Sequence, residues 1–117
     1  MSMKTISVDQ VDETMEDLAQ RAIFVFSEKW CPDCVSAAPI IDSISQEFAN
    51  VPVYLVPVGS MMEWKSTNHE LRAHPFFKLS KIPTLMVIDA NKSYARLEEA
   101  QCLEEEAVRD AFRTANV

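Results

Sequence analysis

The chain has 117 residues, 48% of them hydrophobic and 25% charged, and its formal net charge is -7. This length predicts a single domain over residues 1–117, and the hydrophobic fraction excludes an intrinsically disordered chain. The negative charge argues against nucleic-acid binding and against docking on an anionic membrane. The sequence shows neither a signal-peptide pattern nor an apolar run of about 18 residues, so we expect a soluble cytoplasmic protein.

The first quarter of the chain predicts a strand, an amphipathic helix and a second strand. Residues 4–8 alternate in polarity, as a short strand does. Residues 9–22 carry apolar side chains on one helical face and acidic ones on the other, which predicts a surface helix. Residues 23–27 are apolar almost throughout, so we expect a central strand that is buried on both faces.

Two cysteines, Cys31 and Cys34, follow this strand at the start of a predicted helix. Apolar residues then recur every three or four residues to about residue 49, which predicts a helix. Pro39 lies inside this helix and is expected to kink it. Pro32 suits the first helical position. Because the first turn of a helix offers unpaired N–H groups and a positive dipole end, a thiolate at Cys31 is expected to be stabilised there.

A Cys-x-x-Cys pair near a βαβ pattern indicates redox chemistry. We expect Cys31, nearer the solvent, to attack a substrate disulfide, and Cys34, more buried, to resolve the mixed disulfide and leave an intramolecular one. The alternative is half of a zinc site, for which His69, His74 and Cys102 are the further ligands available, although none forms a compact ligand pair.

Cys102 is the third cysteine and must stay unpaired within the monomer, which suits a reducing compartment. We interpret Cys102 as a small buried residue beside the final helix, since free cysteines are commonly buried. A regulatory thiol or a site of glutathionylation is the alternative.

The middle of the chain contains a strand and a long connection. Residues 51–58 predict the strand, and residues 59–81 are too long for a simple loop, which favours local structure or a function. Residues 68–73 predict a short helix within it. The apolar side chains of this connection are expected to pack in the core, and a substrate-facing role is the alternative, most plausible for Trp64; they are Met61, Met62, Trp64, Phe76 and Phe77.

The last third predicts a β-hairpin and a helix. Ile82-Pro83-Thr84 opens an apolar run to residue 88, residues 89–93 form the turn, and residues 94–97 form the returning strand. Residues 103–115 predict the final helix. The order β-α-β-α-β, insertion, β-β-α predicts an α/β protein with a mixed sheet of about five strands flanked by helices.

This order, together with particular residues, resembles the thioredoxin fold. Trp30-Cys31-x-x-Cys34 matches the thioredoxin active-site motif, and Pro39 matches the family's helix-kinking proline. Ile82-Pro83-Thr84 matches the loop whose proline, in that family, is cis and lies against the cysteine pair.

A narrower resemblance is to the Clot, or thioredoxin domain-containing protein 17, family. It rests on Trp30-Cys31-Pro32-Asp33-Cys34, on residues 64–72, which resemble that family's inserted segment, and on residues 99–103. It implies a thiol–disulfide oxidoreductase, a protein-disulfide or cystine reductase, with Cys31 as nucleophile and Cys34 as resolving cysteine. The remaining site residues implied are Trp30, Pro32, Asp33, Pro83 and Thr84 as shaping residues, and Trp64 and Lys65 as candidates for the substrate rim.

The resemblance also implies which donor reduces the cysteine pair after each turnover. Electrons would come from NADPH through thioredoxin reductase, with no cofactor or metal bound to the chain itself. The expected partners are that reductase and small disulfides or selected protein disulfides, and we expect a monomer.

Three departures from the family concern the site. Only Ser27-Glu28-Lys29 precedes the tryptophan, where the family has a longer loop, and Ser66-Thr67 replaces an expected Asp-Pro. Val25 lies on the central strand, where typical thioredoxins bury an acid that assists proton transfer from the second cysteine. Asp33 or Glu28 is the candidate substitute for that acid.

A different class of function remains open. The fold could be a binding or adaptor module whose cysteines sense redox state or hold a metal without turnover. In that case the segment around Trp64 would be the partner surface.

Overall fold

The computed structural model of the chain describes residues 3–117, which form a five-stranded mixed sheet with helices on both faces. The strands are β1 Met3–Thr5, β2 Ala22–Ser27, β3 Val53–Pro57, β4 Thr84–Asp89 and β5 Lys92–Glu98. The helices are α1 Val11–Glu16, α2 Pro32–Glu47, α3 Met61–Lys65, α4 Glu70–Ala73 and α5 Glu105–Ala115, with 3-10 turns at Val8–Gln10 and Glu99–Leu103. The predicted α/β architecture is confirmed.

The strand order is β1-β3-β2-β4-β5, with β2 at the centre. β1, β3 and β2 run parallel, whereas β4 is antiparallel to β2 and β5 is antiparallel to β4. Phe26 near the end of β2 is paired with Thr84 at the start of β4. The loop after β2, which ends at Cys31, therefore meets the loop before β4, which holds Pro83.

Two apolar layers cover the sheet because successive strand residues point to opposite faces. Phe24 and Phe26 of β2 face a cluster that includes α1 and the connection after β3. Ile23 and Val25 face a second cluster built on α2 and α5. Both sets are buried, as expected for a central strand.

The first predicted helix is wrong in length. Residues 9–22 were expected to be helical, but α1 ends at Glu16 and Ala22 already belongs to β2, where it is paired with Ile88. Pairing in the sheet thus overrides the helical spacing of that residue. The first strand is also shorter than expected, because Val8 begins a 3-10 turn.

The connection between β3 and β4 contains α3, which was not predicted, and α4, which was. Ser60 caps α3 and forms a capping box with Glu63. Core packing is confirmed for Phe77 and Trp64, but it is wrong for Met61 and Met62, which are 46% and 85% exposed.

The two histidines fix this connection through both ring nitrogens. His69 accepts a 3.1 Å hydrogen bond from the N–H of Leu71 at Nδ1, and its Nε2 lies 2.7 Å from the carbonyl oxygen of Val58. His74 accepts from the N–H of Phe76 at Nδ1, and its Nε2 lies 2.6 Å from Asp12. In both rings the hydrogen is therefore on Nε2.

No helix within residues 3–117 has the length and apolar character needed to span a bilayer.

Candidate active site

The two cysteines of the Cys-x-x-Cys motif lie at the start of α2. Cys31 is the N-cap residue, and its sulfur accepts a 3.2 Å hydrogen bond from the backbone N–H of Cys34. Pro32 occupies the first turn, where its missing N–H removes no helical hydrogen bond. A thiolate at Cys31 would thus meet both an N–H donor and the positive end of the helix dipole.

The expected difference in exposure between the two cysteines is wrong. Cys31 is 6% exposed and Cys34 is 5% exposed, because Cys31 packs in one apolar cluster with Trp30 and Ile82. Burial, and then its hydrogen bond with Cys31, raise the pKa of Cys34 well above the ordinary value of 9.0, although the backbone N–H of Glu28 opposes this. Cys34 therefore holds its proton strongly.

The loop before β4 lies against the cysteine pair. The Ile82–Pro83 peptide bond is cis, as the resemblance implied. The sulfur of Cys31 lies 3.8 Å from the carbonyl oxygen of Ile82. Thr84 is fully buried, and its hydroxyl donates a 2.7 Å hydrogen bond back into the loop. The carbonyl of Ile82 is therefore the part of this loop that contacts the nucleophile candidate, and Pro83 and Thr84 follow it in the chain.

The acids considered as substitutes for a buried carboxylate have other surroundings. Val25 occupies an apolar position on β2. The carboxylate of Glu28 accepts hydrogen bonds from the backbone N–H groups of Lys29 at 2.9 Å and Gly59 at 3.1 Å. Asp33 lines a cavity beside the cysteine motif. The carboxylate of Glu28 therefore fixes the backbone at Lys29 and Gly59.

Gly59 joins the cysteine loop to the connection after β3. Its N–H donates to Glu28, and its carbonyl oxygen accepts a 2.8 Å hydrogen bond from the indole N–H of Trp30. Its φ of +103° is one that other residues rarely adopt. A Cβ there would lie 2.8 Å from Oε1 of Glu63. The single glycine of this chain thus occupies a position that requires glycine.

Gly59→Ala is expected to lower the free energy of unfolding by about 2 kcal/mol, because alanine is strained at this φ. Denaturant unfolding monitored by tryptophan fluorescence measures the loss. Glu63→Ala removes the steric clash but also the capping box with Ser60, so the effect of Gly59→Ala is measured again in a Glu63→Ala background. There the loss should be smaller but should not vanish, because the backbone strain remains. Wild-type stability of Gly59→Ala would contradict the backbone geometry at this residue.

A cavity of about 320 Å³ opens beside Cys31. Trp64 and Lys65, the predicted rim residues, both line it, so α3 forms one of its walls. Trp64 is only 5% exposed, so it belongs to the core and to the cavity wall at once. The other lining residues are Trp30, Pro32, Asp33, Arg72, Ser80, Lys81, Ile82 and Glu99.

Sequence reasoning missed three of these charged residues as site residues: Arg72, Lys81 and Glu99. They come from α4, from the loop before β4 and from the 3-10 turn after β5. Glu99 reaches the cavity because its N–H donates to the carbonyl oxygen of Pro83 at 2.8 Å. No local spacing in the sequence signals this convergence, since it arises only when the sheet forms.

Cys102 is fully buried, as predicted. Its sulfur lies 3.7 Å from the carbonyl oxygen of Pro83 and 3.5 Å from that of Leu97. Burial raises the pKa of the Cys102 thiol from 9.0 to about 12. The folded protein therefore keeps this thiol protonated in a pH range where the unfolded chain releases the proton.

This difference predicts an alkaline loss of stability that depends on Cys102. Below pH 9 its contribution is fully present, and above pH 9 it falls by about 1.4 kcal/mol per pH unit until the folded pKa is reached. Denaturant unfolding of wild type and Cys102→Ala between pH 8 and 11 tests this (about three pH units). The gap between their unfolding free energies should shrink as pH rises, and parallel curves would contradict the prediction.

The arrangement of possible metal ligands bears on the zinc alternative. Within residues 3–117, no three histidine, cysteine, aspartate or glutamate side chains lie close enough to hold one metal ion. His69 and His74, the further ligands considered above, use both ring nitrogens in hydrogen bonds. In that part of the chain, the cysteine pair thus has no third ligand at hand.

A sequence profile described as "Thioredoxin domain-containing protein 17-like, thioredoxin domain" matches residues 8–114. The chain belongs to this family. Thioredoxin-like protein Clot of Arabidopsis thaliana is 36% identical over 75 residues, which is 63% of this chain and 56% of that protein. Human thioredoxin domain-containing protein 17 is 29% identical over 86 residues, which is 73% of this chain and 66% of that protein. The matches thus span less than two thirds of either relative's length.

The solved structures give the same fold for this thioredoxin domain-containing protein 17-like chain. The solution structure of oxidised thioredoxin from Plasmodium falciparum matches with a TM-score of 0.70 at 20% identity, covering 99% of this chain and 100% of that one. The thioredoxin-like fold is therefore confirmed. Membership in a thioredoxin family also indicates, at a general level, a redox thiol protein with thiol–disulfide oxidoreductase chemistry.

Proposed function

We propose that this chain is a disulfide reductase in which Cys31 is the nucleophile and Cys34 the resolving cysteine. The observation that carries the proposal is the 3.2 Å hydrogen bond from the N–H of Cys34 to the sulfur of Cys31 at the N-cap of α2. An N–H donor and the helix dipole both favour negative charge on that sulfur. The thiolate is the form that attacks disulfides.

The reaction has two exchange steps. The thiolate of Cys31 attacks one sulfur of the substrate disulfide, the substrate S–S bond breaks, and the other substrate sulfur leaves as a thiolate. Cys34 then attacks Cys31 as its proton passes to a substrate sulfur, which breaks the mixed disulfide and releases the second half of the substrate. Two electrons pass to the substrate, and a Cys31–Cys34 disulfide remains.

The residues around the pair would orient the substrate. The carbonyl oxygen of Ile82, next to Pro83 in the chain, lies 3.8 Å from the sulfur of Cys31, and Trp64 and Lys65 line the cavity beside it. The shaping residues assigned to this role are Trp30, Pro32, Asp33, Pro83 and Thr84.

The oxidised pair would be reduced again by NADPH through thioredoxin reductase, which makes that enzyme the principal partner. The chain then needs no bound cofactor, because the dithiol itself carries both electrons. We propose a monomer that works in the cytoplasm.

The cavity favours small substrates. Cys31 is 6% exposed, and it lines a cavity of about 320 Å³ through which a substrate would approach. The helix α3 forms one wall of this cavity. A small disulfide such as cystine, or a selected protein disulfide on an extended segment, would fit this access better than the disulfides of a bulky folded protein.

NADPH consumption with thioredoxin reductase tests the proposal, with cystine and insulin given in parallel. We expect oxidation of NADPH with cystine and little with insulin. Equal activity on both would overturn the size selectivity but keep the reductase. Activity on neither, with the reductase or with glutathione as donor, would overturn the proposal and favour the adaptor function.

A further inference from the structure

The cavity beside Cys31 is more basic than the chain as a whole. The chain has a net charge of -7, yet three cations and two carboxylates line this cavity. One of the carboxylates, Glu99, already faces Lys81 at 3.7 Å. Within residues 3–117, Lys65 and Arg72 have no carboxylate within 4.0 Å.

Arg72 is held rigidly with part of its guanidinium unused. Its Nε donates a 2.6 Å hydrogen bond to the carbonyl oxygen of Trp64, and its Nη1 makes a long contact of 3.5 Å with that of Ser80. The guanidinium carbon lies 4.0 Å from the centroid of the Trp64 ring. Among residues 3–117, Nη2 has no hydrogen-bond acceptor.

Such a guanidinium suits a carboxylate. Its planar fork matches the two oxygens of a carboxylate, and charge-assisted hydrogen bonds of this kind are among the stronger ones. Stacking on an aromatic ring and the bond to Trp64 have already restricted the side chain, so little further entropy is lost when a ligand binds.

We propose that Arg72, with Lys65 at the rim, binds a carboxylate of the disulfide substrate and so makes the site selective for disulfides that carry a carboxylate. Anchoring that carboxylate beside Cys31 would hold the substrate's sulfurs at the nucleophile. The inference rests on the proposed reductase function, and it adds a specificity-determining residue to it.

A purely structural Arg72 is the competing explanation, since the same hydrogen bonds fasten Trp64 and the loop at Ser80. The two roles differ in one respect. A structural residue affects every substrate alike, whereas a carboxylate-binding residue affects only those that carry the charge.

Three small disulfides of different charge separate these roles: dithiodipropionate, which is dianionic, hydroxyethyl disulfide, which is neutral, and cystamine, which is dicationic. Pre-reduced protein is mixed with each one, quenched with acid, denatured and labelled with a maleimide. The reaction converts the Cys31–Cys34 dithiol to a disulfide and releases two substrate thiols. The rate is read as the loss of two labelled thiols per chain.

The leaving thiols of the three probes differ in pKa, so each rate constant is divided by that of the same probe with dithiothreitol. After this correction, we expect the wild type to react fastest with the dianion. Arg72→Gln should lower that rate constant about tenfold, which corresponds to about 1.4 kcal/mol, and leave the neutral probe within about twofold. Lys65→Glu, at an exposed position, should lower the dianion rate about threefold. Lys92→Gln, which removes a cation outside the cavity, is the matched control.

Each outcome has a meaning. Equal wild-type rates for the three probes after correction for their reactivity with dithiothreitol, or an equal loss on all three in Arg72→Gln, would overturn the inference while leaving the reductase intact. Loss of thiols with none of the probes would instead overturn the proposed function. If Arg72→Gln does not fold, the charge preference of Lys65→Glu decides the question.

Discussion

Replacing Cys31 with serine is expected to abolish disulfide turnover, lowering kcat/KM by more than about a thousandfold. In the proposed reaction its sulfur both attacks the substrate and becomes half of the product disulfide, and a serine hydroxyl can do neither. The helix-capping hydrogen bond from the N–H of Cys34 can persist with a serine oxygen, so the fold should tolerate the change. NADPH consumption with thioredoxin reductase and cystine measures the loss.

Cys34→Ser separates the two steps of the same reaction. The variant keeps the nucleophile but cannot resolve the mixed disulfide, so it should accumulate a covalent adduct with the substrate that dithiothreitol releases. Intact-protein mass spectrometry detects the adduct. Cys102→Ala, which removes the third thiol, should retain turnover. Full activity of Cys31→Ser, or a Cys34→Ser variant that releases product normally, would disprove the assigned roles.

Phe77→Ala is expected to lower the free energy of unfolding by about 3–5 kcal/mol, the largest stability effect we predict for a single residue. Phe77 is fully buried, and its ring centroid lies 5.3 Å from that of Phe26 and 6.5 Å from that of Phe24. It therefore ties the connection after β3 to the central strand. The substitution leaves a cavity among aromatic rings that cannot collapse easily.

Phe76→Ala is the matched control because it removes the same ring one residue earlier. Phe76 is only partly buried, so we expect a loss of about 1 kcal/mol. Urea unfolding of both variants gives the comparison, provided that the slope with denaturant stays constant. Equal losses for the two would show that Phe77 does not anchor this segment.

Much of the fold follows from patterns that act over short distances. The apolar run from Ile23 predicts β2 because a strand buried on both faces needs no polar side. The cysteine pair falls at a helix start because Pro32 and the following apolar spacing both require it. The position of Pro83 beside Cys31 could be expected only through the family resemblance.

The remaining features depend on tertiary contacts that no local pattern records. The spacing of Ala22 fits the apolar face of a helix, but this residue is paired with Ile88 in the sheet. The helix α1 is therefore shorter than predicted. Cys31 is as buried as Cys34 because Trp30 and a distant loop pack with it. Arg72 becomes a site residue only because α4 folds back towards the cysteine loop, so its spacing in the chain carries no signal.

The hydrogen bonds of His69 and His74 leave the site without a spare imidazole. Histidine is the side chain that most readily exchanges protons near neutral pH, and this chain has two. In both rings, Nδ1 accepts a backbone N–H and Nε2 contacts a second partner, so each ring already has both of its nitrogens in hydrogen bonds. A thiolate is a stronger base than the carboxylates near the site, so in the proposed reaction we expect the thiolate that leaves the substrate to take the proton of Cys34. The speed of the second step should follow the basicity of the thiol that the first step has just released.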